Sequence, residues 1–377
     1  MMADKRPTLE NMWFTLDVPG VLFEFALGRK PLLSYECVQA LLDRFDCAVA
    51  LVEFFVVPDG VFIFVLRSGE RQPTFVEWLC PRGRLEYLLT TYHHELVEYP
   101  RYGTEQRWQQ VASPLLQDVL PALKGVDLVY LIPHDVLSYL PLHALRANGG
   151  HLIDQFPIVY APSADVFTRT LERLFTAGEA EKVQTVLVAG NPTFDLEHAE
   201  DEAKWVASYF GGHPYLGREA TKVKARSQLA DKDLIHLACH GFFHAYEPLE
   251  SGLLMAGKRT LNVHDIKTVK IRADLVTLSA CESALISTTE VGKPVKSRGL
   301  RLAFLESGAS SVLGTLWSVA DESTTLLISD FYQRLYNGAG KKINTKARAL
   351  QQAMLALREQ KEHPYYWAAY TLTGSWR

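Results

Sequence analysis

Six short runs of small and branched apolar residues, each stopped by turn residues, constrain this chain more than any other feature. They are VDLVYLIP (126–133), PIVYAPS (157–163), TVLVAGNP (185–192), LIHLAC (234–239), LVTLSA (275–280) and SVLGTLW (311–317). They lack the polar alternation of a half-exposed strand and are too short for buried helices, so they fit strands covered on both faces of a parallel sheet. Helical patterns fall between and after them, at 198–210, 299–307 and 321–338. In the last of these Leu327, Phe331 and Leu335 share one face, with Asp321 as cap and Asn337-Gly338 as stop. ALQQAMLAL repeats the spacing through Ala347, Leu350, Met354 and Leu357. Strands alternating with helices specify a layered α/β fold. At 377 residues the chain exceeds the roughly 250–300 at which single cores stop growing, so two packed halves are expected.

The first part reads differently. Residues 47–66 form a hairpin pattern around the turn residues PDG, and FVEWL (75–79) adds a third antiparallel strand. A helix is expected over 104–123 and a last strand over 365–374. VDLVYLIPHD (126–135) aligns without gaps on ADLVTLSACE (273–282), which sets His134 where Cys281 stands. Two readings stay open: the halves are diverged copies, or any two buried parallel strands look alike over ten residues.

Charge and cysteines narrow the function. With 39 basic against 43 acidic residues and a net charge of -4, no basic block is dense enough to neutralise a phosphate backbone, so no direct nucleic-acid ligand is expected. The most apolar stretch, CAVALVEFFVV (47–57), is broken by Glu53 and followed by Pro58, Asp59 and Gly60, short of the roughly 20 residues that span a bilayer. MMADKRPTLENMW has no apolar signal core, so a cytoplasmic protein without membrane contact is expected. The 5 cysteines are odd in number and scattered, with no CxxC pair, which predicts reduced thiols and no cysteine-built zinc site.

Two of the six runs end in reactive side chains. LIHLACHGFFH delivers His240 and LVTLSACES delivers Cys281, both at the carboxyl ends of strands, where active residues of open parallel sheets gather. A free thiol is only a few per cent ionised at neutral pH; an adjacent imidazole raises the thiolate population and then protonates a leaving amine. Gly241 offers a backbone N–H unobstructed by a side chain for a developing oxyanion, and the N–H of Cys281 is the natural second donor. Other readings of these residues are weaker. Strand alternation turns Cys239 away from the face of Ala238 and His240, so Cys239 reads as a packed thiol. His236 reads as a core residue or a support to the site. A metal set of His236, Cys239, His240 and His244 lacks matched carboxylates. A phosphatase loop needs an arginine six positions after its cysteine, where Cys281 is followed by Ser287 and Cys239 by Ala245.

These segments together resemble the CHAT domain, a caspase-like cysteine protease family related to separase and the caspases. The resemblance runs over residues 32–374 and includes YLIPHDVLSYLPLHAL, AGNP, LGREAT, LACHG, PLESGLLM, LSACES, GLRLAFLESGASSVLGTLWSVADEST, FYQRL and HPYYWAAYTLTG. It implies a caspase-like layered fold, a mainly parallel sheet flanked by helices. Residues 1–30 would be an N-terminal extension, 31–175 a pseudo-protease half and 176–377 the active half. It assigns the base to His240, the nucleophile to Cys281 and the oxyanion donor to Gly241, in agreement with the reading from the residues alone. It calls for neither metal nor organic cofactor.

Two departures bear on specificity and control. Where relatives carry a Gly-rich acidic stretch, this chain has ALISTTEVGKPVKSR (284–298), read either as a regulatory or processing loop or as solvated surface. Where basic-residue-specific relatives carry an aspartate two positions before the nucleophile, this chain has Ser279, which predicts a neutral pocket for the residue before the scissile bond. Trp317, Ser318 and Asp321 are candidate substrate-binding positions beside an edge that can take substrate as an added strand; Trp317 as a packed aromatic and Asp321 as a helix cap remain the other readings. The resemblance thus implies an endopeptidase acting on a protein substrate and gated by a protein partner, in a bacterial regulatory, defence or cell-death pathway. The alternative is a catalytically silent scaffold that acts by binding.

Overall fold

The computed structural model describes residues 35–92, 96, 107–177, 181–242, 247–280, 299–317, 319 and 322–377. Its strands are β1 (Val49–Val57), β2 (Gly60–Arg67), β3 (Thr74–Leu79), β4 (Leu128–Ile132), β5 (Arg146–Ala147), β6 (Gly150–His151), β7 (Ile158–Tyr160), β8 (Val186–Gly190), β9 (Pro214–Leu216), β10 (Leu234–Ala238), β11 (Gly241–Phe242), β12 (Gly252–Met255), β13 (Arg259–Asn262), β14 (Leu275–Ser279), β15 (Ser311–Thr315) and β16 (Tyr370–Gly374). Among the described residues the helices of eight or more residues are α1 (Tyr35–Leu42), α2 (Arg82–Tyr92), α3 (Ala164–Ala177), α4 (Glu197–Tyr209), α5 (Gly299–Ser307), α6 (Glu322–Leu335) and α7 (Lys346–Gln360).

All six apolar runs become strands of one 11-stranded sheet in the order β3-β2-β1-β4-β7-β16-β15-β14-β10-β8-β9. The pairs β3/β2, β2/β1 and β15/β16 are antiparallel, and the remaining neighbours are parallel. The expected hairpin and third strand of the first part are β1, β2 and β3. Small residues let helices sit close: a Cβ on Gly190, at the end of β8, would come within 2.5 Å of Ala203 Cβ and 2.7 Å of the Ala199 carbonyl, both on α4. The face under α4 and α6 takes Leu234, His236 and Ala238 of β10, while Ile235, Leu237 and Cys239 join the core on the opposite face with Phe304 of α5. Leu327, Phe331 and Leu335 of α6 are buried as their spacing predicted, each contributing about 1.5–3 kcal/mol.

The gapless alignment of the two halves extends to their neighbours. β4 lies between β1 and β7, and β14 lies between β10 and β15, all parallel. Leu128 faces Val49 as Leu275 faces Leu234. Carried along the strands, this register makes Phe55 the counterpart of His240, just as the sequence makes His134 the counterpart of Cys281. Phe55 and His134 are stacked, with ring centroids 4.3 Å apart.

Two expectations change. The helix expected over 104–123 is, where described, three short pieces, Arg107–Ala112, Pro114–Gln117 and a 3-10 turn Leu120–Leu123. Pro114 and Pro121 each lack the N–H that would continue the preceding turn. The expected last strand begins only at Tyr370, because Pro364 starts a helical turn, Pro364–Trp367, capped by the His363 side chain. Among the described residues no helix is long and apolar enough to cross a membrane.

Candidate active site

His240 follows β10 directly, at the carboxyl edge of the sheet. Its imidazole is partly open to solvent, 36% exposed, and its Nε2 lies 3.1 Å from both carboxylate oxygens of Asp195. Asp195 comes from the loop after β8, the strand beside β10. That loop carries left-handed backbone at Asn191 (φ 47) and Phe194 (φ 67), conformations that cost energy and are held by their surroundings. Asn191 supplies much of the hold: its N–H donates to the Ala238 carbonyl at 3.0 Å, and its Oδ1 accepts from the Leu196 N–H at 3.0 Å. Thr193 donates its hydroxyl to Asp195. That bond first, and the bond from His240 next, hold the Asp195 carboxyl below the usual carboxylate range.

The peptide after His240 is set by a small antiparallel sheet, β11-β12-β13, in which Gly241 faces Leu253. The Leu254 N–H donates to the His240 carbonyl at 2.9 Å. Bonded and non-bonded pairs alternate in such ladders, so Gly241 takes a non-bonded position and its N–H turns away from β12.

The neighbouring strand β14 runs in register with β10, Thr277 opposite His236 and Ser279 opposite Ala238. One bond beyond the strands, the Cys239 N–H donates to the Ser279 carbonyl at 3.3 Å. Ala280 is buried, and its carbonyl accepts from the Thr315 hydroxyl at 2.7 Å. Ser279 is partly buried; its hydroxyl donates to Glu202 Oε2 at 3.2 Å and lies 2.9 Å from the Tyr370 hydroxyl. Cys281, Ser318, Asp321, His244 and the 284–298 loop lie outside the described residues.

Trp317 is wholly buried, and its indole N–H donates to the Tyr365 carbonyl at 3.1 Å, so it supports the strand end from within rather than offering a surface. Cys239 is buried in the core away from His240. Cys37, Cys47, Cys80 and Cys239 form no disulfide, and burial pushes the Cys47 and Cys80 thiols up. Among the described residues no cluster of three or more His, Cys, Asp or Glu could hold a metal. Sequence reasoning missed Asp195 and Glu202. A carboxylate just beyond a β-strand of the AGNP type was a usable signal for the first; nothing marked the second.

A caspase-like α/β protein is what this sheet order and its flanking helices define. The chain belongs to the CHAT domain family, whose model matches residues 104–375. Tetratricopeptide repeat protein 28 of Mus musculus is 25% identical over 301 residues, covering 65% of this chain, and the Homo sapiens protein is 24% identical over 307 residues, covering 66%. The match spans only 12% of either relative's length. Among solved structures, the separase–securin complex of Saccharomyces cerevisiae matches over 90% of this chain and 31% of the separase-complex chain, with a TM-score of 0.57 at 12% identity. That likeness is one of fold alone.

Proposed function

We propose that this protein is a cysteine endopeptidase in which Cys281 attacks a peptide carbonyl and His240 takes the thiol proton. The observation that carries the reading is the carboxyl edge of β10 and β14. His240 is held there by a carboxylate, and Ser279, two residues before Cys281, is in register with Ala238, two residues before His240. The contact of Phe55 with His134 supports it, because side chains at the matched positions of the other half touch.

In the first step the Cys281 sulfur bonds to the carbonyl carbon as its proton passes to His240, and the carbonyl oxygen takes the electron pair. The N–H groups of Gly241 and Cys281 receive that oxyanion. The imidazolium, steadied by Asp195, returns its proton to the leaving amine, and water then hydrolyses the thioester with His240 as base. Ser279 lines the pocket for the residue before the scissile bond and favours an uncharged side chain. Ser318 and Asp321 border the substrate, and the chain acts in the cytoplasm on a protein substrate, under control of a protein partner.

The test is intact-mass analysis of wild type and Cys281→Ala, each incubated with candidate neighbouring proteins, together with iodoacetamide labelling of each cysteine. Fragments formed only with wild type are the expected result, and their ends read the pocket preference. If no fragments form and Cys281 labels no faster than the exposed Cys37, the chain is a scaffold that binds without cutting.

A further inference from the structure

Behind the catalytic edge lies a buried carboxyl that the proposed chemistry does not use. Glu202 of α4 is 1% exposed and reaches between β10 and β14. Its Oε1 lies 2.9 Å from Nε2 of His236, itself fully buried, in a contact not aligned as a linear N–H···O bond; the attraction there is electrostatic. Its Oε2 accepts the Ser279 hydroxyl at 3.2 Å. The network extends on both sides. Nδ1 of His236 is 3.2 Å from the Tyr332 hydroxyl, which is 2.7 Å from the Thr277 hydroxyl, and Ser279 meets Tyr370.

The pattern closes most simply around one carboxylate. Thr277 donates to Tyr332, Tyr332 to Nδ1 of His236, and the Nε2–H edge of that ring faces Glu202. From the other side Tyr370 donates to Ser279 and Ser279 to Glu202. On both sides the donors run in the direction of the same carboxylate, whose Oε2 is hydrogen-bonded and whose Oε1 faces the imidazole; a buried polar group is costly without such partners. Among the described residues, the ionisable groups placed against Glu202 are His236 from β10 and Tyr332 from α6, with Tyr370 from β16 reaching it through Ser279. The lysine of its own helix, Lys204, pairs with Glu200 and Asp201 instead.

We propose that Glu202 is a positioning residue for the thiol–imidazole pair: through Ser279 and His236 it ties the ends of β10 and β14 together, and its charge sets the pH range in which the Cys281 thiol ionises. This rests on the reading of Cys281 and His240 as nucleophile and base. A negative charge near that pair opposes the thiolate and favours the imidazolium. Its removal therefore moves thiolate formation to lower pH. A neighbouring charge shifts such a midpoint by about one pH unit, a tenfold change in thiolate on the rising limb.

Glu202→Gln is the informative substitution because the network can absorb it. The amide oxygen still accepts from Ser279, while the amide N–H meets Nε2 of a His236 that has moved its proton to Nδ1 and donates to Tyr332. The experiment follows iodoacetamide labelling of Cys281 from pH 4 to 10, read by peptide mass, with Cys37 as reference in the same molecule. A midpoint lowered by about one unit in Glu202→Gln is the expected result. Slower labelling with an unmoved midpoint would reduce Glu202 to packing and overturn the proposal. His236→Gln keeps the carboxylate and is expected to leave the midpoint in place or raise it; a lowered midpoint there also overturns the proposal. Failure of the underlying reading looks different: wild-type Cys281 would then track Cys37 across the whole pH range.

Discussion

One exposed carboxylate sets how the His240 imidazole faces. With Nε2 against Asp195, Nδ1 is the nitrogen left to take a thiol proton. Because Thr193 and His240 hold the Asp195 carboxyl below the usual carboxylate range, it is charged at neutral pH, and its contribution is lost only on acidification. Asp195→Asn is expected to slow substrate cleavage about tenfold, because the ring loses its fixed orientation and the imidazolium its carboxylate as the leaving amine is protonated. The melting temperature should barely move, since exposed pairs contribute little to stability. High salt should bring wild type toward the variant by screening; a rate indifferent to both changes would remove Asp195 from the mechanism. His240 was legible in the sequence because strand ends announce themselves through apolar runs that stop. Asp195 was not, because only the fold brings it to a histidine 45 residues away. Glu202 was hidden more deeply: in EHAEDEAK it looks like one more solvated acid, and only the packing separates it, buried, from Asp201, whose side chain is 71% exposed.

At the scale of elements, the sheet was readable and its accessories were not. Runs covered on both faces carry their own signature, whereas β9 and β11 are pieces of two or three residues that pair across longer loops and β12 and β13 a hairpin of only four residues a side, and the expected 104–123 helix failed at its prolines. The placement of α4 is the element-scale feature on which the site depends, since that helix carries Glu202 and leans on Gly190. Gly190→Ala would drive a methyl to within 2.5 Å of Ala203 Cβ and 2.7 Å of the Ala199 carbonyl. Overpacking of this kind costs about 1–3 kcal/mol, and the helix must move off β8, taking Glu202 with it. The expected outcome is a lower melting temperature together with a lowered midpoint for Cys281 labelling. Ala203→Gly in the same chain removes one of the two collisions and should restore part of both; if it restores neither, the close approach of α4 is not what the glycine provides.

The whole molecule is joined by one sheet across β7 and β16, and its response to acid tests whether it unfolds as a unit. His143 is 1% exposed, with Nδ1 2.8 Å from the Tyr160 hydroxyl, and burial pushes its pKa down to about 3. Burial, with help from Arg358, takes His151 down to about 4. In the unfolded chain both titrate near 6.5. The unfolded state therefore binds protons that the folded state refuses, and stability is intact above about pH 6.5 and falls as pH drops toward the folded values. His143 alone removes about 2 kcal/mol between pH 7 and pH 5. Asp274 acts lower on the scale. Its burial would raise it, but Lys346 at 2.8 Å and Lys342 at 3.0 Å outweigh that and hold it low, so its support is lost only below about pH 4. Urea titrations at pH 7 and pH 5 on wild type and His143→Gln separate these groups. The variant should lose about 2 kcal/mol less than wild type on going from pH 7 to pH 5. Because the sheet is continuous, the smaller loss should register equally in fluorescence from Trp108, before β4, and from Trp317, after β15. Equal losses in the two proteins would mean that His143 titrates normally in the folded chain, and a change confined to Trp108 would mean that the two sides of the β7/β16 seam unfold separately.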